Sequence, residues 1–281
     1  MDYIKPADVA KNMIETAAAK AALSAKDLLI RGFLSGALLG FATSLAFVGS
    51  KQTGVPLVGA LIFPVGFVLI ILLGLELVTG NFALLPVGVQ AKRVSGSQLV
   101  SNFAWVYLGN LIGSLFYGFL LVITLKYGGT GSQGTIAPLL IAAAEAKTVG
   151  YAQHGFIGLL VCFIKAILCN WMVCLATVAA MTSTSTIGKS VAAAIPIFIF
   201  FAQGYEHSVV NMFLIPTGMM LGAKVSIGEW WLANQIPVTI GNFLAGWLLI
   251  GVPIFLTYGK QTTERESRSR ADVPDKAQVP A

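Results

Sequence analysis

The sequence predicts an all-α membrane protein of six spans, built as two inverted three-helix repeats with the second and fifth spans broken. Three observations carry that prediction. The chain is 56% hydrophobic and only 11% charged, with a mean hydropathy of +0.81, whereas a soluble domain has roughly a quarter of its residues charged. Its apolar residues fall in runs long enough for the ~20 helical residues that cross ~30 Å of hydrocarbon. Two of the runs far exceed that need, and each carries glycine and polar side chains at its middle.

The apolar runs cover residues 29–48, 55–91, 99–125, 156–181, 189–222 and 236–258. The second and fifth hold 37 and 34 residues, counted from those bounds, and as straight helices would be ~50 Å long. Glu76, Thr79, Gly80 and Asn81 interrupt one; Gly204, Glu206, His207 and Asn211 interrupt the other. Non-helical backbone at membrane depth is tolerated only where protein buries it or a cavity wets it. Residues 1–28 read as an amphipathic helix lying on the membrane surface. Residues 126–155 read as an extramembrane linker, and 259–281 as a charged, disordered tail.

Lysine and arginine distribute unevenly. Thirteen fall on the side that holds both chain ends and four on the other, with Lys165 inside the fourth run. Both termini are therefore expected in the cytoplasm, with the chain in the cell or inner membrane. The net charge of +6 follows from this asymmetry and needs no nucleic-acid partner. Cys162, Cys169 and Cys174 share one apolar run. They give neither a disulfide framework nor metal-ligand spacing, so buried thiols are expected, with no metal and no cofactor.

The two halves resemble each other. Glu76 and Asn81 correspond to Glu206 and Asn211 at an offset of 130, Asn110 to Asn242 at 132, and Arg31 to Lys165 at 134. Near-constant offsets in the same order indicate duplication. Three spans is an odd number, so the second copy enters the membrane from the opposite face and the two breaks meet near the midplane.

An ionisable group at the membrane centre costs roughly 2.5–3.5 kcal/mol on insertion scales, and is paired or functional. Glu76 and Glu206 are read first as acceptors for backbone N–H groups freed at each break, and second as groups facing a pathway. Asn81, Asn110, Asn211 and Asn242 suit the same satisfying role; Asn170 fits that role or a pathway wall. Thr79 is either a cap of the following half-helix or a hydroxyl presented to the pathway. A lone buried histidine is ordinarily a hydrogen-bonded core residue, but the broken-helix setting of His207 favours the pathway. Phe63, Phe67, Leu77, Val78, Val173 and Phe200 are candidate constrictions, although any one of them taken singly is more often core or lipid-facing.

Four stretches in order resemble the formate/nitrite transporter family: Gly74 to Asn81, Lys165 to Leu175, Gly204 to Phe213 and Ile236 to Asn242. The likeness spans about residues 5–258. It implies an aquaporin-like fold, a homopentamer with a pore in each subunit, and Thr79 and His207 flanking a central chamber. It also implies that Asn170, Glu206, Asn211 and Asn242 match the family's polar network. The family's outer-vestibule lysine falls on His154 here, so Lys147 or a protonated His154 is expected to attract the anion instead. The run from Met181 to Lys189, with residues 201–204, looks most like the formate-transporter branch. The expected function is pH-dependent passage of a small weak-acid anion, formate first, past His207. The imidazole would be neutral at rest and charged beside the permeant. Nitrite, acetate or lactate transport, and a neutral-solute channel, stand as alternatives; the Asn-Pro-Ala tips usual in the latter do not occur. An enzyme using Glu206 and His207 is disfavoured, because adjacent residues rarely converge on one atom and no nucleophile accompanies them.

Overall fold

The computed structural model describes residues 2–127 and 136–259. Residues 128–135 of the expected linker, and the expected disordered tail from 260 onward, lie outside the described residues. Helix α1 (Pro6–Ala21) precedes α2 (Ala25–Thr53), whose Ser24 cap accepts from the Asp27 N–H at 3.1 Å. The second span is α3 (Pro56–Ile62), α4 (Pro64–Leu72) and α5 (Val78–Gln90). Pro64 lacks the N–H that would continue α3, so this span is also kinked at Phe63, a second interruption that sequence reading had not separated from the first. The long α6 (Gly96–Tyr127) closes the first half.

The second half repeats the order with α7 (Ala137–Ala146), α8 (Val149–Ala152), α9 (Gly155–Ala180), α10 (Thr186–Ala202), α11 (Ser208–Leu221) and α12 (Ile227–Gly259). Helix α12 begins nine residues before the expected sixth segment and is widened by π-helical turns at Trp230–Gln235, Ala245–Gly251 and Phe255–Gly259. Four helices, α2, α6, α9 and α12, are long and apolar enough to cross a membrane. The second span is divided into three shorter helices, α3, α4 and α5, and the fifth into two, α10 and α11, where the overlong runs predict one break in each.

Both breaks have one construction. The chain turns at Gly74 (φ +61°) and Gly204 (φ +64°), where a side chain would be strained. It then runs extended through Leu77 or His207 and re-enters a helix at Val78 or Ser208. Pro86 and Pro216 lie in the half-helices at the same offset of 130. Residues 78–88 and 208–218 are buried on every side, which places the two half-helices at the centre of the bundle.

Close helix contact holds the first half together. A β-carbon on Gly36 would collide with the Asn110 carbonyl, and one on Gly113 with the Phe33 carbonyl, so α2 and α6 touch backbone to backbone. Helix α1 packs against the protein. Its apolar face (Val9, Met13, Ile14, Ala17) is buried against Leu84, Leu85 and Val87 of α5, because protein offers that face a fitted apolar surface. The three cysteines are buried and free.

Replacing Gly113 by valine is expected to cost at least about 2 kcal/mol, since neither backbone can give way. A drop in the thermal midpoint of the detergent-solubilised protein relative to an Ile112→Val control would register it; an unchanged midpoint would refute the close crossing.

Candidate functional site

Each break leaves helix-end N–H groups and carbonyls without partners at membrane depth, and amide side chains take them up. Asn110 Oδ1 accepts the Val78 N–H at 3.0 Å, while its Nδ2 donates to the carbonyls of Glu76 (2.9 Å) and Gly32 (2.8 Å). Asn242 repeats this, accepting from Ser208 N–H (2.9 Å) and donating to the carbonyls of Glu206 (3.0 Å) and Ala166 (2.7 Å). One asparagine thus splices each interrupted helix to its neighbours.

The two carboxylates have a different task from the one expected of them. Glu76 Oε1 takes Lys20 Nζ at 2.8 Å and its Oε2 takes Asn81 Nδ2 at 2.8 Å; Glu206 takes Lys147 Nζ and Asn211 Nδ2 at 2.8 Å each. Asn102 and Asn234 then bind Asn81 and Asn211 (2.9 and 2.8 Å) and donate to the carbonyls of Lys20 (3.2 Å) and Lys147 (2.8 Å). The backbone freed at the breaks goes to the asparagines because a carboxylate that is 1% exposed needs a full countercharge. Lys147, expected as a vestibule cation, is spent on Glu206. Tyr151 also donates to Glu206, at 2.9 Å.

The halves differ at the residue that caps each half-helix. At the first break, Leu77 holds the cap position with an apolar side chain; at the second, His207 holds it, and its Nδ1 accepts the Val210 N–H at 3.1 Å. With Nδ1 used as an acceptor, the neutral ring carries its proton on Nε2, which lies 3.0 Å from Thr79 Oγ1. The Thr79 hydroxyl hydrogen is then left to donate elsewhere. Phe200 stacks on the imidazole (centroids 5.6 Å apart), and Phe63 meets Phe200 edge-on at 5.7 Å. Phe63, Phe67, Val173 and Phe200, with Leu39, Ile197 and Val210, close around His207 in a void too narrow for water.

Two cavities approach this closed centre. One, of about 390 Å³ beside α1, is lined by Phe67, Leu77, Gly80, Thr177, Lys20 and Lys189 among others. The other, of about 620 Å³ between α7, α8 and α9, is lined by Lys147, His154, Lys165, Gly204 and Glu206 among others. Val78 is core, and its N–H donates to Asn110 Oδ1. Asn170 faces neither cavity; its Nδ2 donates to the carbonyls of Thr79 (3.1 Å) and Asn242 (2.6 Å), tying the two halves together. His154 is an exposed cap residue of α9 at the wide cavity.

Comparison with known proteins decides the family. A model of the formate/nitrite transporter family matches residues 7–256. The chain belongs to the formate/nitrite transporter family. A protein described as a probable formate transporter from Methanothermobacter thermautotrophicus is 34% identical, over 92% of this chain and 98% of its own. A solved ion channel of the same family superposes with a TM-score of 0.75 at 29% identity, covering 89% of this chain and 98% of that one. A structure titled a pentameric formate channel with formate bound gives 0.69 at 25% identity, covering 83% and 97%. The family member described here is thus an integral membrane protein of aquaporin-like fold, and a transporter rather than an enzyme.

Sequence reading missed Lys20, Asn102, Asn234, Tyr151 and Gln235. Asn102 and Asn234 share the 132 offset of Asn110 and Asn242 and were findable by it. Gln235 had no such signal, because Phe103 holds the corresponding place; its Nε2 donates to the Ser208 carbonyl (3.3 Å) and the Tyr107 hydroxyl (3.0 Å).

Removing one partner of a buried ion pair strands the other. Glu206→Ala is expected to destabilise the protein by about 3 kcal/mol, and the double variant Lys147→Met, Glu206→Gln to recover most of that, both read as thermal midpoints. A double variant as unstable as the single one would refute the pairing as the source of the loss.

Proposed function

We propose that the chain conducts a small monovalent weak-acid anion, formate in the first place, through each subunit of a homopentamer, with pH-dependent passage past His207. The observation that carries this reading is the juxtaposition of Thr79 Oγ1 and His207 Nε2, 3.0 Å apart, with the imidazole lining a closed void otherwise walled by apolar side chains. The neutral imidazole spends its Nε2–H on Thr79 Oγ1, which leaves the Thr79 hydroxyl hydrogen for a single small acceptor group. The apolar walls of Phe63, Phe67, Val173 and Phe200 make a bare hydrated charge expensive. Sharing a proton at the imidazole lowers that barrier by bringing the permeant closer to its neutral acid. The relatives described as formate transporters, and the formate-bound pentamer among the solved structures, support formate and the pentamer.

Leu77 narrows the route on the α1 side, and the asymmetry of basic residues supports an orientation with α1 in the cytoplasm. Nitrite, which the family description also names, is expected to pass by the same route.

Flux of formate, nitrite, lactate and glycerol into proteoliposomes, as a function of pH, tests the reading. Formate and nitrite are expected to pass well ahead of glycerol; glycerol passing as fast would make this a neutral-solute channel. His207→Asn preserves a side-chain acceptor for the Val210 N–H while removing the titratable ring, so its formate flux is expected to lose the wild-type pH dependence. Curves that superimpose from about pH 5 to 8 would remove His207 from the mechanism. Thr79→Val is expected to lower formate flux about tenfold, the loss of one hydrogen bond of roughly 1.4 kcal/mol, and Thr79→Ser to restore it. Equal fluxes in the valine and serine variants would exclude the hydroxyl.

A further inference from the structure

Ser208, the residue directly after His207, is held on both sides by one helix. Its N–H donates to Asn242 Oδ1 at 2.9 Å, and its carbonyl accepts from Gln235 Nε2 at 3.3 Å. Asn242 and Gln235 lie two turns apart on one face of α12. Only half of this clamp exists at the first break. Asn110 takes the Val78 N–H there, but the place of Gln235 is held by Phe103, which has no side-chain donor to offer the Val78 carbonyl. The extra restraint falls on the break that carries the histidine.

Gln235 is itself fixed. Its side chain is fully buried, and its partners allow one orientation of the amide. The Trp230 indole, a donor only, reaches Oε1 at 3.2 Å. The π-helical turn over Trp230–Gln235 brings those two residues, five apart, one above the other. The second Nε2 hydrogen goes to the Tyr107 hydroxyl at 3.0 Å. Thr239 donates its own hydroxyl to the Gln235 carbonyl at 2.7 Å, so Tyr107 donates to Thr239 Oγ1, 3.4 Å away. Tyr107 and Thr239 are equivalent positions of the two repeats, at the same offset of 132 that relates Asn110 to Asn242. Equivalent residues meet only where the axis relating the copies passes between them, so this cluster lies near the midplane, level with the breaks.

We propose that Gln235 is a positioning residue for His207, acting through Ser208. The proposal deepens the reading of His207 in anion passage and rests on it. His207 Nδ1 accepts the Val210 N–H, which belongs to the same first turn of α11 that Gln235 and Asn242 hold. A turn free to tilt weakens that bond, and Nδ1 then competes with Nε2 for the single proton of the neutral ring. Gln235 keeps the turn in place, so the proton stays on Nε2 and the Thr79 hydroxyl hydrogen stays available to a permeant. Gln235 does not itself line the void beside His207.

The test uses the full-length protein, isotope-labelled at the histidine nitrogens, with Gln235→Met and Tyr107→Phe. The chain has two histidines, and the His207 signal is the one that His207→Asn removes. In NMR spectra of the detergent-solubilised protein, at a pH above the imidazole range, wild type is expected to show the Nε2–H tautomer alone. Gln235→Met is expected to show a mixture of both tautomers. Tyr107→Phe removes one partner of Gln235 but keeps the Ser208 bond, and is expected to retain the single tautomer. A single tautomer in Gln235→Met, or the same mixture in both variants, would overturn the positioning role in favour of plain packing. Formate flux into proteoliposomes gives a second reading. Gln235→Met is expected to lose about fivefold, and to cause no further loss in a Thr79→Val background, because both changes act on one hydrogen bond. An unchanged flux in the single variant, or a double variant about fiftyfold below wild type as independent losses would give, would overturn the proposal. If Gln235→Met does not fold, Gln235→Asn takes its place with the same expectations, since it keeps the amide but shortens its reach by one methylene. Wild-type vesicles that pass no formate would instead refute the transport reading, with the histidine spectra still deciding Gln235.

Discussion

Backbone polar groups have no partner in hydrocarbon, and this protein interrupts two of its six spans at the depth where that is most costly. Everything else in the centre answers to that constraint. Asn110 and Asn242 each join a severed helix by accepting from the new N-terminus and donating to the carbonyl just before it. Because those amides satisfy the backbone, Glu76 and Glu206 are free to anchor outlying lysines, Lys20 at the end of α1 and Lys147 at the end of α7. The short helices that look peripheral in the sequence are thereby fixed to the core, each supplying the countercharge for one break.

This arrangement also widens the repeat. The duplicated unit is not three spans alone. Each copy includes a short helix ending in a lysine, whose ammonium meets the glutamate and whose carbonyl meets a second asparagine, Asn102 or Asn234. Satisfying both breaks by the same devices leaves the structure symmetric in its supports. Function can then reside in the few places where the copies diverge: His207 against Leu77, Thr79 against Val209, and Gln235 against Phe103. The histidine is suited to this because it performs the structural duty of a helix cap with one ring nitrogen while presenting the other to Thr79.

The apolar cage follows from the same geometry. A cap residue at the start of a fully buried half-helix cannot reach bulk water, so its environment is whatever the neighbouring spans provide. Here α3, α4, α9 and α10 provide Phe63, Phe67, Val173 and Phe200, and the kink at Pro64 lies beside the first of them. The result is a buried Thr79–His207 pair beside a void closed to water and otherwise walled by apolar side chains.

The amino-acid sequence by itself determined the six spans, the two broken helices, the inverted duplication and the identity of the central residues, because these are encoded in local hydropathy, in glycine position and in constant offsets. Only the tertiary structure decided who pairs with whom. Lys20 and Glu76 are 56 residues apart, and Lys147 and Glu206 are 59 apart, distances at which no periodicity connects a lysine to its carboxylate. The burial of α1 against α5 and the use of Asn170 as a tie between halves were settled in the same way. Each depends on which surfaces meet once the breaks are closed, and hydrogen-bond geometry in three dimensions fixes that where residue order does not.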